Sequence, residues 1–329
     1  MIERDLAALL VADPAAFARH HLMSLGFPAA PLVPSNGWSN RVWLAPYHVV
    51  RIGSGRFRDA FAHEAAVLEL LPPDVPHAPV LAYGRIGGHE WLIQDRVHGR
   101  PLAQVWPHLD SAQRQTAMAQ MGEILRALHA ISLPAGFTNP WLDDALALGG
   151  QPRDAYHAPP ERYATLLAAV AAAPGADVVL LAEVGAFIAE RLDAFARDTP
   201  VLVHSDIHFA NLLWDDGGLT GLLDFEGARP AAPDQELDTL LRYCREPELY
   251  RAFGEQAGLE RRDLARAPGL LTTAYAELFS HPRLADRLAV YEALWHLVQT
   301  LHFPPGPRPP DPWGHLRVLL ESGGRWAWL

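Results

Sequence analysis

The sequence predicts an α+β chain in two unequal parts: a small antiparallel sheet with one helix up to about residue 97, then a larger, mainly helical part over 98–329. Short apolar or alternating runs bounded by turn residues crowd into 32–97, as paired strands require. Beyond Gly99-Arg100-Pro101, apolar residues recur at three- and four-residue spacing, as on helices. One stretch of the helical part, residues 201–225, breaks that period with three short β runs whose ends are crowded with polar residues.

Taken in order, residues 4–25 predict one helix, with Leu6, Leu9, Leu10, Phe17 and Leu22 on its apolar faces and Gly26 as its stop. Val42-Trp43-Leu44, a turn at Pro46 and His48-Val49-Val50-Arg51-Ile52 predict a hairpin. A helix over Phe57–Leu71 is closed by Pro72-Pro73, and the runs Val80–Arg85 and Glu90–Val97 join across Gly87-Gly88. Ser111 is the expected N-cap of a helix whose stripe is Met118, Met121, Leu125 and Leu128. Further helices are expected at 161–173, 178–197, 234–245, 260–279 and 284–303, and the proline-rich segment Pro304–Pro312 leads to a last one. The three β runs are Val201–His204, Asn211–Trp214 and Leu219–Phe225, the last two joined by Asp215-Asp216-Gly217-Gly218.

Composition narrows the function classes. Of 329 residues, half are hydrophobic and 20% charged, which is globular rather than disordered composition. The opening Met-Ile-Glu-Arg-Asp lacks the basic start and apolar stretch of a signal peptide, and no charge-free run reaches about 18 residues. The expectation is a cytoplasmic protein with no membrane partner. Cys244 is the single cysteine, so an internal disulfide and a cysteine zinc site fall away. The net charge of −11 argues against a nucleic-acid partner, which calls for a basic face. All 27 basic residues are Arg. Without Lys, the GxxxxGK phosphate loop and every lysine Schiff-base mechanism are excluded. The acid is uneven: residues 1–97 hold 8 Arg against 9 Asp plus Glu, a net −1, and residues 98–329 hold 19 against 29, a net −10.

Chemistry concentrates in Val201-Leu-Val-His-Ser-Asp-Ile-His-Phe-Ala-Asn211 and in Leu222-Leu-Asp-Phe-Glu226. An apolar strand delivers His204 and Asp206 into a loop, Asn211 follows five residues later, and the hairpin returns Asp224 toward them. Phosphoryl transfer needs such a set: a carboxylate to receive the acceptor hydroxyl's proton and hard oxygen ligands for Mg²⁺ on the nucleotide phosphates. Asp206 suits the first role, Asn211 and Asp224 the second. Capping of turns explains each polar residue singly but not three at the strand ends of one hairpin unit. His204 and His208 are four apart, a zinc spacing only on a helix, whereas this segment reads as a loop. A hydrolase using Ser205 lacks the G-x-S-x-G elbow.

Here the chain resembles the aminoglycoside phosphotransferase family, kinase-like small-molecule phosphotransferases whose catalytic loop is H-x-D-x-x-x-x-N with a metal aspartate on the next hairpin. His204, Asp206, Asn211 and Asp224 match those positions. Two departures stand out: Ser205 where many relatives have Gly, and Asp-Phe-Glu where protein kinases have Asp-Phe-Gly, so that Glu226 adds an acid near the metal. The resemblance implies a two-lobed protein-kinase-like fold, with a nucleotide-binding lobe over 1–97 and a lobe over 98–329 that carries the catalytic loop and the acceptor site. It implies Asp206 as base, Asn211 and Asp224 as Mg²⁺ ligands, and His204 as a loop-ordering residue. It further implies a nucleotide-covering loop over Ser35, Asn36, Gly37, Trp38, Ser39 and Asn40, and Arg51 as the cation for the α and β phosphates where kinases use Lys. Glu64 would orient Arg51, and the Asp95 carbonyl and Val97 amide would meet the adenine edge.

The implied activity is transfer of the γ-phosphoryl group of ATP or GTP to a hydroxyl of a small molecule. Aminoglycosides, other amine-bearing compounds, choline, homoserine and sugars all stand open as acceptors, and a catalytically weak nucleotide-binding regulator is the rival class. Asp143, Asp144, Asp234, Glu236 and Asp238 are candidates for a cationic acceptor site, with helix-dipole placement the stronger reading for Asp234 and Glu236. The charge split favours a cationic acceptor.

Overall fold

The computed structural model describes residues 3–28, 30–35, 40–53, 59–147, 150, 158–196, 198–252, 258–303 and 311–325. The first part opens with α1 (Glu3–Ala12) and α2 (Pro14–Ser24), followed by β1 (Val33–Ser35), β2 (Asn40–Leu44), β3 (His48–Gly53), α3 (Ala60–Leu68), β4 (Val80–Ile86) and β5 (His89–Asp95). After the crossing come β6 (Arg100–Pro101), α4 (Leu102–Val105), α5 (Ser111–His129), α6 (Pro140–Leu146), α7 (Tyr163–Ala171) and α8 (Val178–Ala189). Strands β7 (Val201–Val203), β8 (Leu212–Asp215), β9 (Gly218–Leu222) and β10 (Arg229–Ala231) precede α9 (Glu236–Arg245) and α10 (Pro247–Ala252). The chain continues through α11 (Arg261–Leu264), α12 (Ala267–Ala274), α13 (Leu284–Thr300) and α14 (Pro312–Glu321).

The five strands of the first part form one antiparallel sheet in the order β1-β2-β3-β5-β4. Side chains alternate faces along a strand. On β3, Val50 and Ile52 enter a core with Leu10, Phe17 and Leu22 of α1 and α2, so Arg51 between them faces the other way, toward α3. Ala60, Val67 and Leu68 of α3 belong instead to the larger core built by the helical part. Helix α3 therefore packs across the boundary, and its orientation ties the sheet to the elements beyond it.

The crossing segment is stitched to the β8–β9 hairpin. Strand β6 pairs with β8, and the Thr220 hydroxyl donates to the His98 carbonyl at 2.6 Å. Gly99 sits at φ +130°, where a Cβ would fall 2.7 Å from Thr220 Oγ1, so both backbone and space require glycine. The β8–β9 turn has Asp216 at φ 45° and Gly217 at φ 88°, the two left-handed residues of a type I′ hairpin.

Several expected elements differ in their bounds, each for a local reason. The helix expected over 4–25 breaks at Asp13, whose side chain caps α2 by accepting from the Ala16 N–H at 2.9 Å, with Pro14 at the first helical position. The N-cap of α5 is Asp110 rather than Ser111: Asp110 Oδ1 accepts from the Gln113 N–H at 2.8 Å, and Gln113 Oε1 accepts from the Asp110 N–H at 3.0 Å. The helix expected over 260–279 is three pieces, because Pro268 starts α12 anew and a 3₁₀ turn follows at Ala276–Phe279. Among the described helices, none is long and apolar enough to cross a membrane.

Asp110→Ala removes half of a reciprocal cap and is expected to lower stability by about 1 kcal/mol. Urea denaturation reads this directly, and an unchanged midpoint would remove the cap as a contributor.

Candidate active site

Arg51, from the centre of β3, is 8% exposed and meets three carboxylates. Its Nη1 donates to both oxygens of Glu64, on α3, at 2.7 and 2.8 Å. Its Nη2 donates to Asp224 Oδ1 at 2.7 Å and to Glu226 Oε2 at 3.3 Å. One guanidinium thus joins the sheet, the helix behind it and the loop after β9. Among the described residues, Glu64, Asp224 and Glu226 are the group of potential ligands whose oxygens lie within 4.8 Å of one another.

Burial pushes the Glu64 carboxyl above the ordinary range, against the pull of Arg51. Burial and the Asp224 charge push Glu226 up as well. The Arg51 guanidinium is held more firmly charged by the three acids, despite its own burial. Fully ionised, three carboxylates against one Arg would leave the cluster at −2, and after burial the Asp224 charge is part of what raises Glu64 and Glu226. The donor set therefore fits the Mg²⁺ that the family resemblance implies: hard oxygens with an excess of negative charge that a dication offsets.

Glu226 is fastened from both sides. Its Oε2 accepts from Asn40 Nδ2 at 3.0 Å, at the start of β2. Its backbone carbonyl accepts from Trp141 Nε1 at 2.8 Å and Asn139 Nδ2 at 3.0 Å, around the start of α6. His63 Nε2 lies 2.7 Å from the Ala228 carbonyl, a second tie from α3 to this loop. Asp224 itself sits at φ 69°, the left-handed region, which turns the chain sharply out of β9.

The 204–211 loop lies alongside. The His204 Nδ1 accepts from the Asp206 N–H at 3.2 Å, and its Nε2–H donates to the Leu223 carbonyl at 2.9 Å. Asn211 Nδ2 donates to the Asp206 carbonyl at 2.9 Å and to Asp206 Oδ2 at 3.2 Å. The Leu223 N–H donates to the Asn211 carbonyl at 2.8 Å. Asp206, Asn211 and the residue before Asp224 are therefore joined by direct hydrogen bonds. The two histidines turn their Nε2 atoms to different partners, His204 toward Leu223 and His208 toward Asn211, and do not converge as a zinc pair would.

Beneath this loop lies a clamp that sequence reasoning missed. Glu236, 1% exposed, accepts from the His204 N–H at 2.5 Å and the Ser205 N–H at 3.2 Å, while Thr239 Oγ1 donates to the Ser205 carbonyl at 3.1 Å. The first turns of α9 thus hold both sides of a peptide whose Ser205 stands at φ 71°. Glu236 does stand in the first turn of α9, as the helix-dipole reading expects, but its carboxylate is also spent on the loop. Asp234 and Asp238 are likewise buried, the first 2.6 Å from Arg287 Nη2 and the second paired with Arg242, so neither is available to a cationic ligand. An acid in a first helical turn looks the same in sequence whether it faces solvent or a neighbouring loop. Asn139 and Trp141 carry no motif at all, and Asn40, expected in the nucleotide-covering loop, reaches Glu226 instead.

Of the other expected site residues, Ser35 ends β1, while Asn36 and Gly37 lie outside the described residues. Asp95 ends β5, and Val97 follows in the crossing, where a Cβ at Gly221 would come within 2.9 Å of its Cγ1.

A small antiparallel sheet with one crossing helix, set on a larger helical part that carries a polar loop and hairpin, defines a kinase-like phosphotransferase fold. Solved structures agree in fold. One is the ternary complex of streptomycin, ATP and APH(2″)-IIa, with a TM-score of 0.61 at 16% identity over 87% of this chain and 90% of that one. Another is the GDP complex of aminoglycoside 2′-phosphotransferase-IIIa, with a TM-score of 0.59 at 20% identity over 93% and 98%. The family model described as the phosphotransferase enzyme family matches residues 32–270, and the chain belongs to that family. A glucosamine kinase of Streptacidiphilus jiangxiensis is 30% identical over 188 residues, 56% of this chain but only 38% of that protein's length.

The positive φ of Ser205 is one that glycine adopts without strain, and its buried Oγ has no hydrogen-bond partner among the described residues. Relief of both outweighs the extra unfolded-state freedom of glycine. Ser205→Gly is expected to raise stability by about 1 kcal/mol, read as a higher denaturation midpoint. A lower midpoint would show that the hydroxyl is satisfied.

Proposed function

We propose that this chain transfers the γ-phosphoryl group of ATP or GTP to a hydroxyl of a small amine-bearing molecule, with amino sugars as the acceptor class. The observation that carries the reading is the Arg51 guanidinium at 2.7 Å from both Glu64 and Asp224, which sets a phosphate-binding cation against a metal-binding carboxylate at one point. The acceptor oxygen attacks the γ-phosphorus, the bond to the β–γ bridging oxygen breaks, and the nucleoside diphosphate leaves with that electron pair. The acceptor's proton passes to the Asp206 carboxylate.

Arg51 is the cation that faces the α and β phosphates, oriented by Glu64. Asn211 and Asp224 would hold Mg²⁺, which would supply positive charge to offset that of the nucleotide phosphates. His204 orders the loop by bridging the Asp206 N–H to the Leu223 carbonyl. Ser35, Asn36 and Gly37 cover the phosphates, and the Asp95 carbonyl and Val97 amide meet the nucleobase edge. Water-exposed Asp206, its side chain 41% accessible, lies open to an acceptor as a base must.

Amine-bearing acceptors are supported by the relatives. The name of the curated relative is glucosamine kinase, and solved neighbours hold streptomycin, gentamicin and hygromycin B. The net −10 of residues 98–329 points the same way. Asp234, Asp238 and Glu292 contribute little to that field, because Arg287, Arg242 and Arg245 neutralise them in the interior.

Asp206→Asn is expected to lower kcat by roughly 10²- to 10⁴-fold with nucleotide affinity kept. Turnover near wild type would remove Asp206 as base. Screening ATP–Mg²⁺ turnover against glucosamine, aminoglycosides, choline, homoserine and neutral sugars identifies the acceptor. An amine-bearing winner should lose kcat/KM as salt rises, since screening sets in over a Debye length of about 8–10 Å near physiological ionic strength. A neutral winner with a salt-independent rate would refute the amine assignment.

A further inference from the structure

The backbone fixes the tautomer of both histidines in the 204–211 loop. The Asp206 N–H donates to His204 Nδ1 and the Ala210 N–H donates to His208 Nδ1, each at 3.2 Å. A ring nitrogen that accepts from a backbone N–H carries no proton, so each imidazole bears its hydrogen on Nε2. His204 turns that hydrogen to the Leu223 carbonyl. His208 turns its own toward the working groups of the loop: Nε2 stands 3.7 Å from Asp206 Oδ2 and 3.4 Å from Asn211 Nδ2. Asn211 Nδ2 is itself a donor, to the Asp206 carbonyl and to Oδ2, so with the hydrogen on His208 Nε2 the acceptor nearest to it is the Asp206 carboxylate, at 3.7 Å still beyond hydrogen-bond range.

The ring is also clamped. It lies flat on Tyr243, with centroids 5.1 Å apart and planes 8° from parallel, and meets Tyr250 edge-on at 5.3 Å. Its side chain is 12% accessible. A half-turn of the ring about Cβ–Cγ would keep this stacking but lose the bond from the Ala210 N–H to Nδ1, which is what holds Nε2 on the Asp206 side.

We propose that His208 is a positioning residue for phosphoryl transfer: its Nε2–H restrains Asp206 Oδ2 beside the Asn211 amide and so holds the base and the metal-binding amide at a fixed spacing. The inference rests on the reading of Asp206 as base. A closure of under about 1 Å converts the present contact into a charge-assisted hydrogen bond. His208 thereby acts through Asp206 and does not itself touch the reacting atoms.

Two substitutions separate the donor from the ring. His208→Phe keeps an aromatic face on Tyr243 without a donor, and His208→Gln places an amide donor near the position of Nε2. They are compared with ATP–Mg²⁺ and each amine-bearing acceptor that the wild type phosphorylates, glucosamine first. His208→Phe is expected to lower kcat by about 10- to 100-fold, the scale of a misplaced reacting group, with KM for ATP within about two-fold of wild type. His208→Gln should recover most of the rate. In an Asp206→Asn background, His208→Phe should cost nothing further, because the partner it restrains has changed. Wild-type turnover by His208→Phe, equal losses in Phe and Gln, or an undiminished loss in the Asp206→Asn background would each overturn the proposal. Wild-type turnover by Asp206→Asn alone would instead overturn the base assignment on which it rests.

Discussion

A buried guanidinium shared by three carboxylates is the constraint from which the arrangement of this molecule follows. Arg51 reaches inward only because β3 alternates, with Val50 and Ile52 spent on the opposite core. Glu64 reaches it only because α3 packs across to the helical part, and Asp224 and Glu226 only because the chain leaves β9 through a left-handed residue. Ion pairs this deep are demanding: removal of any one partner leaves uncompensated charge, so the four side chains specify one another's positions. The contacts of Glu226 with Asn40, Asn139 and Trp141 show how many elements are recruited to keep that arrangement in register.

The 204–211 loop depends on a second, separate support. Ser205 adopts a backbone conformation that side chains resist, and the resistance is overcome by Glu236 and Thr239, which grip both sides of the adjoining peptide. The carboxylate that a surface reading assigns to helix electrostatics is thus a structural anchor. Much of the acid in the helical part is of this kind. Asp234, just before α9, pairs with Arg287, and Asp238 and Glu292 pair with Arg242 and Arg245; these pairs already cancel within the net −10, so the field the segment projects comes from its other acids.

The order of strands and helices was legible because hydrophobic period and turn residues are local signals. Expected hairpins at 42–52 and 80–97 correspond to β2–β3 and β4–β5, and the Asp-Asp-Gly-Gly turn joins β8 to β9. Helix ends were less legible where two capping residues compete, as at Asp110 and Ser111, or where a proline interrupts a periodic run, as at Pro14 and Pro268. The candidate site divides the same way. His204, Asp206, Asn211 and Asp224 announce themselves by spacing, whereas the contacts of Glu236, Asn139 and Trp141 join distant segments and leave no local pattern. For His208 the sequence offered only a zinc spacing that a loop does not support, and the direction of its Nε2 shows which neighbours it addresses.

The use of Arg51 in a chain without lysine has a practical corollary for chemical proteomics. Nucleotide reagents built as acyl phosphates mark kinases by acylating an amine held near the bound phosphates. A guanidinium stays protonated and is a poor nucleophile, so it repels the chemistry while attracting the phosphate. On the proposed reading, nucleotide bound beside Arg51 would find no lysine amine to acylate, and the protein would pass through such an enrichment unlabelled. Capture by an immobilised nucleotide, which needs affinity and no covalent bond, suits its architecture instead.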